Sequence, residues 1–218
     1  MTIQETIKRI ISKKEEAVKT QVEQVETQNA DVYAFMKAVY YEQTQQVEQF
    51  LAQGIDINSR NEYGNTALMY AAKRGYTRMI ERLLVAGADV NTQNNKGMSA
   101  LTYAAMQGHN CSIDKLIRAG ANINIQDSLG RTPLIHAAIH GHIRSINTLL
   151  FANCDANVED NNGNTALAYA FFNDHQDCKN ILSAFGRRVS QENSFKPVAR
   201  HTSQMLSVGK LQNPKQRN

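Results

Sequence analysis

Three histidines near the middle of the chain have the spacing of a metal site. His136 and His140 are four residues apart, one helical turn, and His142 follows closely. Imidazole nitrogens at this spacing can bind a zinc ion. However, no nearby Cys, Asp or Glu completes a set of ligands. We therefore expect no metal site, and nothing in the sequence indicates another cofactor.

The sequence also lacks the patterns of the common catalytic sites. It shows no Ser/His/Asp arrangement, no paired carboxylates and no phosphate-binding glycine loop. Cys111, Cys154 and Cys178 are odd in number and show no paired spacing. They are typical of reduced thiols in an intracellular protein. We therefore expect a cytoplasmic protein without enzymatic activity.

A period of 33 residues governs the middle of the chain and accounts for two of the histidines. His136 is in register with Tyr103 and Tyr169, and His142 with His109 and His175. The same interval separates Gly64, Gly97, Gly130 and Gly163, then Asn58, Asn91, Asn124 and Asn157, and then Leu68, Leu101, Leu134 and Leu167. A fixed period of this length indicates a stacked repeat protein.

The turns of the repeats carry a family resemblance. Gly130-Arg131-Thr132-Pro133-Leu134 and its counterparts at residues 64–68, 97–101 and 163–167 resemble the Gly-x-Thr-Pro-Leu turn of the ankyrin repeat. The resemblance implies an all-α repeat solenoid, in which each repeat is a helix-turn-helix followed by a β-hairpin loop. We expect an ankyrin-repeat domain over residues 31–185. Its five repeats cover about 31–60, 61–93, 94–126, 127–159 and 160–185, and the terminal two are degenerate caps.

Each helix of a repeat has its own start and stop signals. Thr and Ser follow the turn glycine and suit the N-cap of the first helix. A glycine such as Gly75 ends that helix, and Gly87, Gly120 or Asn153 ends the second. The second helix carries Ile and Leu at the spacing of one buried face. Because such short helices are marginal alone, stacking must stabilise them.

The two flanking segments differ in charge from the nearly neutral repeats. Residues 1–30 carry five Lys/Arg and five Glu with a narrow apolar stripe, which predicts a charged amphipathic helix. We favour a monomer, and the stripe leaves open a dimer through this segment. Residues 186–218 carry seven basic residues and one acidic residue, and we expect a disordered tail. Arg187-Arg188-Val189-Ser190 resembles a basic-directed kinase site, which makes Ser190 a candidate phosphosite.

The resemblance implies that the protein binds another protein through its concave face and its hairpin tips. In this family ligands dock at the positions that the repeat leaves free. By register these include Tyr40, Tyr41, Lys73, Arg74, Met106, Gln107, Ile139, His140 and Phe172 on the helices, and Tyr63, Asn65, Lys96, Met98, Leu129 and Arg131 at the tips. Aromatic residues, Met and Arg are enriched where proteins bind one another.

Two alternative functions remain open. The family also occurs in bacteria that live in eukaryotic cells, so the chain could act as an effector delivered into a host cell. The basic tail could instead bind nucleic acid or an anionic membrane by charge. The tail lacks the stacking aromatics and dense Lys/Arg clusters of a dedicated nucleic-acid binder, so we do not expect nucleic acid as the main partner. No apolar run of about 18 residues indicates a transmembrane segment.

Overall fold

The computed structural model describes the backbone of residues 30–194 and the side chains of residues 30–186. Within these residues the chain forms ten helices and no regular strand, and the first helix, α1, covers residues 30–40. The other helices are α2 (Thr44–Ala52), α3 (Ala67–Arg74), α4 (Thr77–Val85), α5 (Ala100–Met106), α6 (Asn110–Arg118), α7 (Pro133–Ile139), α8 (Ile143–Phe151), α9 (Ala166–Phe172) and α10 (Gln176–Ser194). They pair along the chain as five helix-turn-helix units, which confirms the predicted all-α solenoid.

A hydroxyl side chain starts the first helix in four of the five units, as predicted. The side-chain oxygen accepts a hydrogen bond from the backbone amide three residues later. The four capping residues are Thr66, Ser99, Thr132 and Thr165. Pro133 occupies the first turn of α7, where its missing N–H costs nothing. Because replacing such a cap by Ala costs about 1 kcal/mol, these residues fix where the helices begin.

Left-handed backbone follows each helix from α1 to α9. Gly75 caps α3 with a φ of 74°, and Gly87 follows α4 with a φ of 94°. Three residues with a side chain take the same conformation: Glu42 after α1 with a φ of 56°, Asn153 after α8 with a φ of 59° and Asp174 after α9 with a φ of 53°. Left-handed backbone costs such residues about 1–2 kcal/mol, and Asn and Asp tolerate it best.

The helices stack in two layers. Helices α3, α5, α7 and α9 pack side by side in one layer, and α4, α6, α8 and α10 pack in the other. Ala pairs such as Ala104-Ala105 are completely buried and keep the first helices thin, while Ile113 and Leu116 fill the space between the layers. Burying each such large side chain contributes roughly 1.5–3 kcal/mol. At the end of the stack Phe171 replaces the second Ala and remains 59% exposed.

The predicted hairpin loops are turns without regular strands in the described residues. Each turn closes on itself, as where the Asn94 amide donates to the Met98 carbonyl at 3.0 Å. Each turn is also bonded to the next, as where the Asn95 amide donates to the Tyr63 carbonyl at 3.1 Å. Hydrogen bonds of this kind align the turns along one edge of the stack.

The first unit continues the core, and the last helix is longer than predicted. Phe35 of α1 is fully buried and belongs to the same apolar cluster as the other repeats. Helix α10 runs to Ser194, so residues 187–194 are helical and the predicted start of a disordered tail at 186 is wrong. The reason is that Gly186 does not adopt positive φ, and a helical Gly only weakens a helix by about 1 kcal/mol.

Several predictions fall outside the described residues. These are the charged helix of residues 1–29, the dimer through it, and the tail from residue 195 onward. Ser190 lies in the backbone of α10, but its side chain is not among those described. Among the described helices, none is long and apolar enough to cross a membrane.

Candidate protein-binding surface

One row of exposed side chains follows the C-terminal ends of the first helices. We call it the helix-end row, and it consists of Tyr41, Arg74, Gln107, His140 and Asn173, which lie 33 residues apart and are all exposed. The residues just before them form an inner row, Tyr40, Lys73, Met106, Ile139 and Phe172. Of these, Tyr40, Met106 and Ile139 are half-buried, whereas Phe172 is 70% exposed. The two rows form a continuous strip across the stacked helices.

Aromatic rings and cations meet at the N-terminal end of this strip. The Arg74 guanidinium lies 5.0 Å from the centre of the Tyr40 ring and 5.7 Å from that of Tyr76. Its Nε donates to the Tyr76 hydroxyl at 3.4 Å, and this bond raises the pKa of Arg74 above its ordinary value. Tyr41 meets Tyr40 edge to face at 5.2 Å between ring centres. These contacts hold the positively charged Arg74 guanidinium against aromatic rings.

The C-terminal end of the strip has no Lys or Arg and is more apolar. The His140 Nδ1 donates to the His136 carbonyl at 2.9 Å, and its ring lies parallel to that of His142 at 5.9 Å. Phe172 meets the ring of Tyr169 edge to face at 6.2 Å. Met106 and Ile139 lie between these two groups along the inner row. The strip therefore changes in character from cationic to apolar along the stack.

A second exposed row lies at the tips of the turns. The tip row consists of Tyr63, Lys96, Leu129 and Asn162, and all four side chains are exposed. Tyr63 is 62% exposed and Leu129 is 49% exposed, which is unusual for side chains of this size. Backbone bonds between successive tips, such as the Ser128 amide to the Lys96 carbonyl at 3.0 Å, hold the row in place.

The comparison with protein families agrees with this geometry. A family model described as ankyrin repeats, in three copies, matches residues 35–127 and 101–193. The chain belongs to the ankyrin-repeat family. No curated protein matches the chain. Ankyrin repeats are in general modules for protein–protein interaction and are typically not enzymatic.

Two of the predicted partner-binding residues bond to the next ankyrin repeat, and a third is buried. Met98 is only 7% exposed. Asn65 accepts from the Asn94 side chain at 2.7 Å, and Arg131 donates to the Tyr169 hydroxyl at 3.2 Å. The carbonyl at this position closes its own turn, as where the Asn61 amide donates to the Asn65 carbonyl at 3.1 Å. Met98 is buried away from a partner, whereas Asn65 and Arg131 are half-buried and their contact with a partner stays a prediction.

Two of the histidines have the structural roles that their register predicts. The Nε2 of His142 donates to the Met106 carbonyl at 3.0 Å, as His109 and His175 do to the repeats before them. His136 is 6% exposed, and its Nε2 donates to the Asp127 carboxylate at 2.8 Å. Burial lowers the pKa of His136 against the opposing effect of Asp127, so the ring is neutral at neutral pH. Among the described residues, no group of three His, Cys, Asp or Glu side chains could hold a metal.

Sequence reasoning missed the partner of the His136 position in four of the five repeats. The side chain at 70, 103, 136 or 169 bonds to an Asn or Asp nine residues earlier, in the turn of the same repeat. The pairs are Asn61–Tyr70, Asn94–Tyr103, Asp127–His136 and Asp160–Tyr169. The signal was present, because Asn or Asp recurs at this position every 33 residues. Each pair fixes a turn to its own first helix.

The asparagines that recur before each turn are structural, as predicted. The Asn58 side chain accepts from the Asp89 amide at 2.8 Å and donates to the Gly87 carbonyl at 3.3 Å. Asn91 makes the same two bonds to the next repeat, with Asn122 and Gly120. Both polar groups of each amide are thereby used between repeats. These residues are not available to a ligand.

Proposed function

We propose that this ankyrin-repeat domain is a non-enzymatic adaptor that binds another protein along the helix-end, inner and tip rows. One observation carries the proposal: these rows place large exposed side chains along one surface of a stacked scaffold. Tyr41, Tyr63, Leu129 and Phe172 are all at least 49% exposed. Aromatic residues are enriched in the cores of protein interfaces.

The exposed residues of the second helices give a natural comparison surface. Val85 is 90% exposed beside Arg78, Glu81 and Arg82, and a single apolar residue of this kind is normal on a protein surface. Phe151 is 87% exposed beside Leu150, Ile181 and Phe185, so the control also tests the apolar cavity that is lined by the second helices α8 and α10. Arg78 and Arg144 are also exposed on these helices. Together these four residues allow a control variant with the same number of changes.

Affinity capture from cell lysate with three forms of the full chain tests the proposal. The forms are the wild type, a face variant with Tyr41, Arg74, Met106 and His140 changed to Ala, and a control variant with Arg78, Val85, Arg144 and Phe151 changed to Ala. We expect a protein that the wild type and the control retain and the face variant loses. The direct affinity of that purified protein should fall at least tenfold, about 1.4 kcal/mol, for the face variant only. Equal retention by all three forms would overturn the proposal.

The charge of the tail supports a second candidate function. With seven basic residues against one acidic, residues 186–218 could bind nucleic acid or anionic lipid while the repeats serve only as a support. Deleting residues 195–218 distinguishes the two functions. Binding by the tail should disappear with the deletion and weaken steeply with salt, whereas binding by the helix-end row should survive the deletion.

A further inference from the structure

The cations of the proposed binding surface form no ion pair with a carboxylate of the described side chains. Among the residues whose side chains are described, no carboxylate lies within ion-pair distance of Lys73, Arg74 or Lys96. The carboxylates of Asp127 and Asp160 are buried nearby but bond to His136 and Tyr169. Exposed Glu42 and Glu62 adjoin Tyr41 and Tyr63, but neither forms an ion pair with these cations, so the three charges remain open to a partner.

Most of the described cations on the second helices form ion pairs with carboxylates. Arg82 pairs with Glu48, and Lys115 pairs with Glu81, in each case between neighbouring repeats. Only Arg78 and Arg144 on these helices have no carboxylate within ion-pair distance among the described side chains, and they lie two repeats apart in sequence. Adjacent unpaired cations therefore distinguish the surface formed by the first helices and the tips.

Arg74 is also held in a position to bind an anion. Its guanidinium stacks against Tyr40 and Tyr76, and Lys73 lies 5.9 Å from the centre of the Tyr103 ring. Stacking on a ring uses the flat face of a guanidinium and leaves N–H groups at its edge for a carboxylate, which it can bind through two parallel bonds. Because the side chain is already ordered, binding costs less conformational entropy.

We infer that the partner contributes an acidic segment whose Asp or Glu side chains bind Arg74 and Lys73 and whose apolar side chains continue toward Ile139 and Phe172. This inference rests on the proposed function and names the chemistry and direction of its partner. Neighbouring packed helices are about 9 Å apart, so α3 and α9 are separated by about 27 Å. An extended peptide of about eight residues spans this distance.

The chain's own tail does not fit this surface. Residues 186–218 carry seven basic residues and one acidic residue, so their charge is of the same sign as that of Arg74 and Lys73. Like charges brought together weaken an association. Residues 1–30 carry five Lys/Arg and five Glu and so have no net negative charge either. We therefore take the occupant to be a segment of another protein.

Selection of peptides from a random displayed library on the folded full chain tests the inference. The enriched sequences are then synthesised with a fluorescent label, and their dissociation constants are measured by anisotropy. We expect an excess of Asp and Glu near one end of the enriched peptides and apolar residues near the other. Arg74→Glu should weaken binding at least tenfold, and Arg78→Glu, the matched control, should change it less than twofold. Replacing the acidic residues of the peptide by Lys should restore binding to Arg74→Glu and abolish binding to the wild type.

The outcomes separate this inference from the function on which it rests. Enriched peptides without an acidic excess, or equal losses for Arg74→Glu and Arg78→Glu, would overturn the acidic partner. If those peptides still lose affinity when Met106 and His140 are changed to Ala, the binding surface stands and only the partner chemistry is wrong. If no peptide is enriched, or if Arg78→Ala and Arg144→Ala weaken binding as much as the face variant, both the acidic partner and the proposed binding surface are overturned. Circular dichroism of each variant shows that it is folded.

Discussion

Replacing His136 by Tyr should stabilise the protein and reduce its sensitivity to acid. Tyr occupies the equivalent position in three other repeats, where it is half-buried, and in the last of them the Tyr169 hydroxyl donates to Asp160 at 2.6 Å. The His136 ring makes the equivalent bond to Asp127 through Nε2, but its Nδ1 is buried and has no hydrogen-bond partner among the described residues. A tyrosine keeps the bond to Asp127 and has no second polar atom.

The magnitude follows from the cost of burying a polar atom without a partner. That cost is about 1–3 kcal/mol, and fitting the larger ring offsets part of the gain. We therefore expect His136→Tyr to raise the free energy of unfolding by about 1 kcal/mol at neutral pH. His136→Phe is the control, because it removes both nitrogens but also removes the donor to Asp127 Oδ2, while Oδ1 keeps the amides of Leu129 and Arg131. It should be less stable than His136→Tyr.

The acid sensitivity has a definite sign. Burial, with smaller contributions from Arg131 and His140, lowers the pKa of His136 in the folded protein, while Asp127 opposes the shift. As the pH falls through about 6.5, the unfolded chain takes up a proton at this residue that the folded chain does not. The free energy of unfolding therefore decreases as the pH is lowered. One group can contribute at most about 1.4 kcal/mol per pH unit to this slope.

Urea unfolding followed by circular dichroism at about pH 7.5 and about pH 5.5 measures the effect. The wild type should lose more stability between these two values than either His136→Tyr or His136→Phe. His142, whose pKa is also lowered by burial, is present in all three proteins, so the difference isolates position 136. Parallel losses in the three proteins would show that His136 takes up no proton on unfolding and would refute the reasoning.

Three further predictions use differences between equivalent positions. Gly108→Ala should destabilise the protein by about 1 kcal/mol more than Gly120→Ala in urea unfolding. Both glycines have positive φ, but only at Gly108 would the new Cβ lie 2.8 Å from an imidazole of the next repeat. Asp174→Gly should raise the midpoint of thermal unfolding, because it relieves a left-handed backbone, and an unchanged or lower midpoint would contradict this. In a thiol titration of the native protein Cys111, which is exposed, should react much faster than Cys154, because burial raises the pKa of Cys154 to about 12. Equal rates would show that the buried thiol is accessible.

Local signals in the sequence were sufficient for the helix boundaries of the repeats. Caps such as Thr132 and stop residues such as Gly75 act on backbone groups within four residues, so the sequence alone predicts their geometry. The same reasoning located the helix-end row, because the position of these residues follows directly from where each first helix ends. It failed at Gly186, because a glycine stops a helix only where the chain adopts positive φ.

Prediction was weaker for the turns. Register alone predicted that Asn65, Met98 and Arg131 face a partner, just as it predicted this for the exposed tip row. Whether a turn side chain faces solvent depends on the repeat that follows, since Asn65 bonds to residues 29 and 38 positions later in the chain. No local rule describes contacts at that separation.

The sequence by itself determined the 33-residue repeat, the helices and their ends, and the family, because these depend on hydrogen bonds and backbone angles within a few residues. The tertiary structure decided which variable side chains join repeats and which remain free. It also decided that Arg74 stacks on Tyr40 of the preceding repeat and that the nearby cations have no carboxylate partners among the described side chains. The physical reason is that these properties arise only when repeats distant in sequence pack against one another.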